Sequence, residues 1–121
     1  MALRATSAPA PDRRSARSGE RVEFRAKVEN TGADAARVAL FVEDLKEGAL
    51  GKPVDFAFAF EPPAQEVPRK SRKGLAFAWT AATPPGRDAF TFRGRLVLRA
   101  ADGAVVGEAP LDLYVDGQAR S

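Results

Sequence analysis

RVEFRAKVE, residues 21–29, alternates without a break between charged and apolar side chains. Successive side chains of a β-strand point to opposite faces, so this pattern is typical of a strand with one face in water and the other buried. The run ends at Asn30-Thr31-Gly32, residue types that favour a turn. The stretch therefore predicts a half-buried β-strand that is closed by a turn.

The same period of two returns along most of the chain, and no window shows a convincing helical pattern. Asp102-Gly103 is the strongest hairpin signal, because a two-residue type I′ turn needs positive φ at both central positions. The predicted strands cover residues 3–7, 21–29, 37–43, 54–60, 75–79, 89–99 and 111–116. Together they predict an all-β fold, an antiparallel sandwich of about seven strands, with a barrel as the structural alternative.

The alternation is interrupted at two places, and each interruption predicts a different local structure. Residues 44–53 combine two glycines and a proline with charged side chains, so they predict a loop. Gly94 interrupts the long strand 89–99 and predicts a bulge or a close approach of another backbone.

Length and composition predict one domain. The chain has 121 residues, of which 45% are apolar and 29% charged, and no apolar run reaches the roughly 20 residues of a membrane span. We divide it into a basic Pro/Ala/Ser-rich N-terminal arm (1–18), the sandwich (19–117) and a tail (118–121). The arm lacks the apolar core of a secretory signal, which predicts a cytoplasmic protein; the alternative is an exported protein whose signal was removed.

The chain contains neither cysteine nor histidine. This excludes disulfides, thiolate and imidazole metal ligands, the common catalytic triads and the usual general base. We therefore expect no enzyme, with no catalytic residue, cofactor or metal site. The net charge of +3 is a mild excess and does not by itself indicate a nucleic-acid binder.

At this point the pattern resembles a known family. The strings GERVEFRAKVENTG, ARVALFVED and GLAFAWTAATPPGRDAFTFRGRLVL resemble bacterial immunoglobulin-like domains of the CARDB and fibronectin-III-like type. The resemblance implies an immunoglobulin-like β-sandwich and leaves the function open, because this architecture hosts adhesins, spacers and assembly subunits alike. The matching positions are Gly19, Glu20, Val28, Asn30, Thr31, Gly32, Phe77, Trp79, Thr80 and Gly86.

Candidate contact residues follow from the register of the strands. Phe41 and Tyr114 fall opposite the core residues of their strands, which makes them the first candidates for an interface. The basic cluster of Arg69, Lys70, Arg72 and Lys73 is a weaker candidate for a polyanion site. The remaining aromatic residues are assigned to the core.

An acidic group at residues 43, 44 and 47 offers carboxylates to a calcium ion, although its spacing matches no 12-residue calcium loop. We regard this as a minor alternative.

The leading hypothesis is a non-catalytic module for protein–protein interaction or assembly, acting through a sheet face or an edge strand. Self-association through the N-terminal arm, including head-to-tail filaments, is one form of it. The alternative is electrostatic binding of nucleic acid or another polyanion by the basic cluster. The sequence favours a protein partner or a second copy over nucleic acid, because no aromatic side chain interleaves with the basic ones.

Overall fold

The computed structural model describes residues 2–48 and 50–117. Within these ranges every regular element is a β-strand. The eight strands are β1 (Leu3–Pro11), β2 (Ser15–Arg17), β3 (Arg21–Asn30), β4 (Ala36–Glu47), β5 (Gln65–Val67), β6 (Ser71–Thr80), β7 (Ala89–Ala100) and β8 (Val105–Asp116).

The strands form two sheets. A three-stranded sheet has the order β1-β3-β6, and a five-stranded sheet has the order β2-β8-β7-β4-β5. Neighbouring strands run antiparallel, except that β2 lies parallel to β8. Two separate sheets confirm the predicted β-sandwich and exclude the single closed barrel. The eight strands compare with about seven predicted, because β2 and β5 were not predicted whereas the predicted strand over 54–60 does not form.

Strand β3 confirms the alternation on which the fold prediction rests. Val22, Phe24, Ala26 and Val28 are buried, with exposed fractions of 0 to 4%, while the intervening charged side chains face outward. Phe24 pairs across the strands with Phe77 of β6. Burial of a phenylalanine side chain contributes about 1.5–3 kcal/mol, so this face anchors the three-stranded sheet to the core.

The N-terminal segment, predicted as an arm with a short strand over 3–7, is built into both sheets. Strand β1 pairs with β3 and extends to Pro11, while β2 pairs with β8 on the other sheet. Leu3 and Ala16 are buried at 5% and 6% exposure. The small residues and prolines of this segment hide its strands from a pattern search, since they provide little contrast between its two faces. The predicted tail, 118–121, lies outside the described residues.

The aromatic stretch 54–60 is extended, as predicted, but forms no strand. Its ends are tied to different sheets: the Val54 amide donates to the Leu45 carbonyl (3.1 Å), and the Glu61 amide donates to the Ala78 carbonyl (2.9 Å). The segment thus crosses the open side of the sandwich from β4 to β6. Phe58 lies at its centre, and its ring centroid is 4.5 Å from Trp79 and 5.1 Å from Phe92. The prediction that these rings belong to the core is confirmed.

Gly94 marks the close backbone approach that was one of its two predicted roles, and the bulge itself lies opposite it in β4. Strand β4 runs on through residues that the sequence assigns to a loop, and its pairing with β7 shifts between Glu43 and Lys46. Asp44 adopts a positive φ of 54° at the shift. A Cβ on Gly94 would lie 2.8 Å from the Glu43 carbonyl oxygen, so only glycine allows this approach of the two backbones.

Asn30, from the turn that ends β3, is a structural residue. It is buried at 2% exposure, and its side chain closes the turn. The Asn30 amide group donates to the carbonyls of Asp34 (2.9 Å) and Val67 (3.2 Å), and its oxygen accepts from the Gly32 amide (2.9 Å). The bond to Val67 ties the turn to β5, and all three bonds satisfy the buried amide group with backbone partners.

Candidate functional site

The two aromatic residues predicted as an interface share one face but belong to separate surfaces. Phe41 pairs across the strands with Val97, and Tyr114 pairs with Thr91, all on the outer face of the five-stranded sheet. The stretch of β7 from Thr91 to Val97 spans about 20 Å. The structure therefore does not bring Phe41 and Tyr114 together, and each must be considered with its own surroundings.

Phe41 stands at the rim of a shallow depression and is 45% exposed. Its cross-strand neighbour Val97 is only 1% exposed although it lies on the same outward register. The depression has a volume of about 170 Å³. It is lined by Arg37, Val38, Ala39, Phe41, Ala64, Arg99, Ala100 and Ala101. An aromatic ring, small side chains and two arginines thus form one contiguous patch, which we call the Phe41 patch.

A network of ion pairs borders the Phe41 patch. The Arg99 guanidinium donates to both carboxylate oxygens of Glu43, at 2.8 and 3.0 Å. Arg95 reaches Asp44 at 3.0 Å and Glu108 at 3.4 Å. The hydrogen bond from Arg99 holds the pKa of Glu43 below its ordinary value. The carboxylates considered for calcium therefore already serve arginines, and this network fixes the side chains beside Phe41.

Tyr114 lies in a groove between β8 and the N-terminal segment. It is 43% exposed, and its amide donates to the Arg14 carbonyl at 3.0 Å. The groove has a volume of about 600 Å³ and is bordered by Pro11 and Pro110. Since proline has no amide hydrogen, Pro11 and Pro110 offer no backbone hydrogen-bond donor to an incoming strand.

The basic cluster lies at the turn from β5 to β6, and its four members have different environments. Arg72 donates to Glu29 at 3.1 Å, and Lys73 donates to the Glu66 carbonyl at 2.8 Å. Arg69 and Lys70 have no ion pair or side-chain hydrogen bond within residues 2–48 and 50–117. Half of the cluster is therefore free to meet an anion.

The turn also orients the free half of the cluster. Lys70 adopts a positive φ of 50°, which reverses the chain just before β6.

The carboxylate of Glu29 pairs with both Arg72 and Arg4, and the hydrogen bond from Arg72 is the main cause that lowers its pKa.

One feature escaped the sequence, namely the free edge of β6. The amide and carbonyl of Ala78 both bond to Glu61, so they point away from β3. Because backbone groups in an antiparallel ladder alternate in direction, Arg72, Gly74 and Ala76 point the same way. The Ala76 carbonyl accepts from the Gln65 side chain at 2.7 Å. No local sequence pattern predicts that β6 is an edge strand, since the order of strands in a sheet depends on the topology of the whole chain.

Glu47 is the one buried carboxylate in the described part of the chain, at 7% exposure. Arg87 donates to it across the gap between β4 and the loop that precedes β7. The Arg87 guanidinium also lies 5.0 Å from the ring centroid of Phe90. The glycines and proline of residues 44–53 led the sequence analysis to assign Glu47 to a loop, so this pair was not predicted.

Chemistry-bearing side chains do not gather elsewhere in residues 2–48 and 50–117. No three acidic side chains there are grouped so that they could hold a metal ion. In the same ranges no helix has the length and apolar character needed to cross a membrane. The candidate sites are therefore surfaces: the Phe41 patch, the basic cluster and the edge of β6.

Comparison with known proteins shows the fold. No family model matches the chain, and no curated protein matches it. A solved structure of the Pseudomonas fluorescens alkylpurine DNA glycosylase AlkC bound to DNA is similar, with a TM-score of 0.59 and 13% identity. The match covers 93% of this chain, which spans 30% of the length of the glycosylase.

Two further solved structures have similar sandwiches. The cupredoxin domain of amoB from Nitrosocaldus yellowstonii has a TM-score of 0.54 at 9% identity, covering 98% of this chain and 92% of that one. A PapD-like domain of human CEP192 has a TM-score of 0.43 at 13% identity, covering 95% and 88%. At 13% and 9% identity, the likeness to the glycosylase and to the cupredoxin domain is one of fold, and it supports the β-sandwich.

Proposed function

We propose that this chain is a non-catalytic module that binds a partner protein through the outer face of its five-stranded sheet. The observation that carries the proposal is the Phe41 patch. An aromatic ring with 45% of its surface in water stands there beside a depression of about 170 Å³. The expected partner places an apolar side chain in that depression.

The surroundings of Phe41 suit a binding anchor. Buried aromatic residues dominate the energy of protein interfaces, most of all where a rim of polar groups excludes water around them. Arg99 and Glu43 form such a rim and are already held by two mutual hydrogen bonds. Since these side chains are ordered before a partner arrives, little conformational entropy is lost on binding.

Site-specific crosslinking tests this proposal. The photoreactive residue p-benzoylphenylalanine replaces Phe41, and in a matched control it replaces Leu50, which is 68% exposed in a loop. In an extract of the organism that encodes the chain, we expect a discrete crosslinked protein from position 41 alone. An excess of unlabelled wild-type protein should suppress it, whereas unlabelled Phe41→Arg should not. Equal crosslinking at both positions, or equal competition by both proteins, would contradict the proposal.

Self-association is a second part of the proposal. Strand β1 already pairs with β3 of its own chain, so association through the N-terminal segment would proceed by exchange of β1 between copies. Light scattering coupled to size-exclusion chromatography at high protein concentration measures it directly. A strictly monomeric protein would contradict this part and leave binding of a different protein intact.

Electrostatic binding of a polyanion is the second candidate function, and the unpaired Arg69 and Lys70 favour it. The glycosylase among the similar structures is bound to DNA, but at 13% identity that likeness extends to the fold alone. Binding of an oligonucleotide should weaken steeply with salt if counterion release drives it. Charge reversal at both positions without loss of binding would exclude the cluster.

The assignment to the CARDB or fibronectin-III-like type also remains a proposal, as does the cytoplasmic location. The buried Trp79 on β6 and the Asn30 turn support the family assignment. Fractionation of cells with an antibody against the chain tests the location.

A further inference from the structure

Strand β6 is the exposed edge of the three-stranded sheet. Edge strands invite pairing with another chain, and proteins normally blunt them with prolines, bulges or short length. The other edge strands of this sandwich are blunted: β1 carries Pro9 and Pro11 and two register shifts, while β2 and β5 have three residues each. Strand β6 has ten residues and no proline. It is therefore the edge most open to a partner strand.

The part of β6 nearest the β5–β6 turn has unused hydrogen-bonding groups. Ala78 is occupied by Glu61, and the Ala76 carbonyl is occupied by Gln65. The amides and carbonyls of Arg72 and Gly74 point in the same direction as those of Ala78 and have no partner in the described residues. They suit an added strand of a few residues, because main-chain hydrogen bonds supply the affinity in this mode of recognition.

No other strand pairs with this edge. In the three-stranded sheet β6 pairs with β3 alone, and the single bridge from Glu61 to Ala78 is the one backbone pairing that the described residues show on its other side. Gly74 pairs with the outward-facing Lys27, and a Cβ on Gly74 would meet no atom within 4 Å, so the outer face of the sheet is also open at this position. Between β6 and β5, the contacts that bridge the gap are the hydrogen bonds from Lys73 to the Glu66 carbonyl and from Gln65 to the Ala76 carbonyl.

The charges around the edge are mostly positive. Lys27, which pairs with Gly74 across the strands, has no ion-pair partner in the described part of the chain. The carboxylates near the edge are Glu29, already shared by two arginines, Glu61, whose backbone pairs with Ala78, and Glu66 on β5 of the other sheet. The cations that surround the edge are Lys27, Arg69, Lys70, Arg72 and Lys73.

We propose that β6 receives an acidic, extended segment of a partner protein, which adds to the three-stranded sheet as a strand beside Arg72 and Gly74. The inference rests on the proposed protein-binding function but uses a different surface from the Phe41 patch. The backbone of the segment pairs with β6, and its carboxylates meet Lys27 and the turn cations Arg69 and Lys70. Strand pairing sets the position, and charge selects the partner.

A pair of substitutions at Gly74 isolates the backbone contribution. The probe is a fluorescein-labelled peptide of about eight residues that alternates glutamate and valine, and its binding is followed by fluorescence anisotropy. Gly74→Pro removes the outward amide without touching the β3 ladder, since proline is tolerated where the amide faces away from the sheet. Gly74→Ala keeps the amide and fits the open space. We expect affinity to fall about tenfold in the proline variant and to stay within twofold of wild type in the alanine variant.

Charge variants isolate the second contribution. The double substitution Arg69→Glu, Lys70→Glu should weaken binding by at least about tenfold. The control is Lys46→Glu, Lys52→Glu, which reverses two exposed cations away from β6 and should leave the affinity nearly unchanged.

Changes to the probe keep the proposal testable even if the proline variant does not fold. A peptide with methylated amides at alternate positions has the same charge but lacks half of its donors, and it should bind at least about tenfold more weakly. A lysine–valine peptide should not bind, and an oligothymidylate of equal charge should compete poorly. Amide signals of residues 72–76 should shift most in a two-dimensional NMR titration.

Three results would overturn the proposal. Equal binding of the methylated and unmodified peptides would show that the peptide binds by charge alone, without strand pairing. Efficient competition by the oligonucleotide would show the same. If no acidic peptide binds at millimolar concentration, an acidic extended segment is excluded as the ligand of β6. If these failures occur while crosslinking at Phe41 persists, the protein-binding function stands and only the strand-addition site is lost.

Discussion

The carboxylate of Glu47, buried at the end of β4, accepts a hydrogen bond from the Arg87 guanidinium in the loop that precedes β7. The same guanidinium lies over the ring of Phe90. Two segments far apart in the sequence are thus joined by one charged contact at the rim of the core. A buried charge that loses its partner is strongly destabilising, so this pair has a measurable role in stability.

We expect Arg87→Ala to lower the free energy of unfolding by about 2 kcal/mol, because it leaves the Glu47 carboxylate buried without a partner. Urea denaturation measures the change. The matched control is Arg69→Ala, which removes an exposed arginine without a partner and should change stability by less than about 0.5 kcal/mol. Adding Glu47→Gln to Arg87→Ala should restore part of the loss; a double variant as unstable as the single one would contradict the explanation.

Stability should fall in acid through the Glu43–Arg99 contact. The hydrogen bond from Arg99 lowers the pKa of Glu43 in the folded protein, so its contribution is complete above the ordinary value of 4.5 and is lost as pH falls through the lower folded value. We expect the free energy of unfolding to decline below about pH 4.5 more steeply in wild type than in Arg99→Gln. Identical slopes for the two proteins, measured by urea denaturation at several pH values, would exclude this contact as a source of acid sensitivity.

A methyl group should be costly at Gly94 and harmless at Gly74. A Cβ at Gly94 would press on the backbone of the β4 bulge at 2.8 Å, whereas one at Gly74 meets open space. Gly94→Ala is therefore expected to destabilise the fold by about 1–3 kcal/mol. Gly74→Ala should be neutral or slightly stabilising. Thermal unfolding distinguishes them, and equal midpoints would show that the bulge adjusts freely.

Truncation of the aromatic stretch should affect stability according to burial. Phe58 lies among Phe56, Phe60, Trp79 and Phe92, and Phe58→Ala should cost about 3 kcal/mol. Phe41→Ala makes the same chemical change at an exposed site and should cost less than about 1 kcal/mol. If the two losses were equal, stretch 54–60 would not be part of the core.

Deletion of residues 1–11 is expected to unfold the domain. The deletion removes β1, whose Leu3 is buried, and uncovers the edge of β3 from Phe24 to Asn30. Circular dichroism and light scattering should therefore report loss of cooperative unfolding and aggregation. A folded, monomeric truncated protein would instead show that the segment is a dispensable arm.

The fold could be predicted where the sequence offers contrast between two faces. Strand β3 shows this best, since charged and apolar residues alternate along it and only one pairing register buries Val22 and Phe24 together. The glycine inside strand 89–99 separately predicted the close backbone approach at Gly94. Contrast between two faces could not reveal the N-terminal strands, because alanine, serine and proline give the two faces of a strand a similar character. It also could not tell that stretch 54–60 crosses between sheets, since an unpaired extended segment alternates just as a paired strand does.

The candidate site was predictable only in its parts. The register of β4 and β8 exposed Phe41 and Tyr114 as expected, but their separation along β7 depends on which strands are neighbours. The same topology leaves β6 at an edge and places Arg69 and Lys70 beside it. Pairing order is a property of the whole chain, so no local window of sequence contains it.

The pairing of Ala16 with Val115 has a consequence for biosynthesis. It joins strands near the two ends of the described chain, so the five-stranded sheet cannot be completed until β8 has emerged from the ribosome. At about 5–20 residues per second, β2 waits several seconds for its partner β8. Pairings between distant segments also slow the search for the native topology. We therefore expect the five-stranded sheet of this domain to form only once β8 has emerged, as a late event.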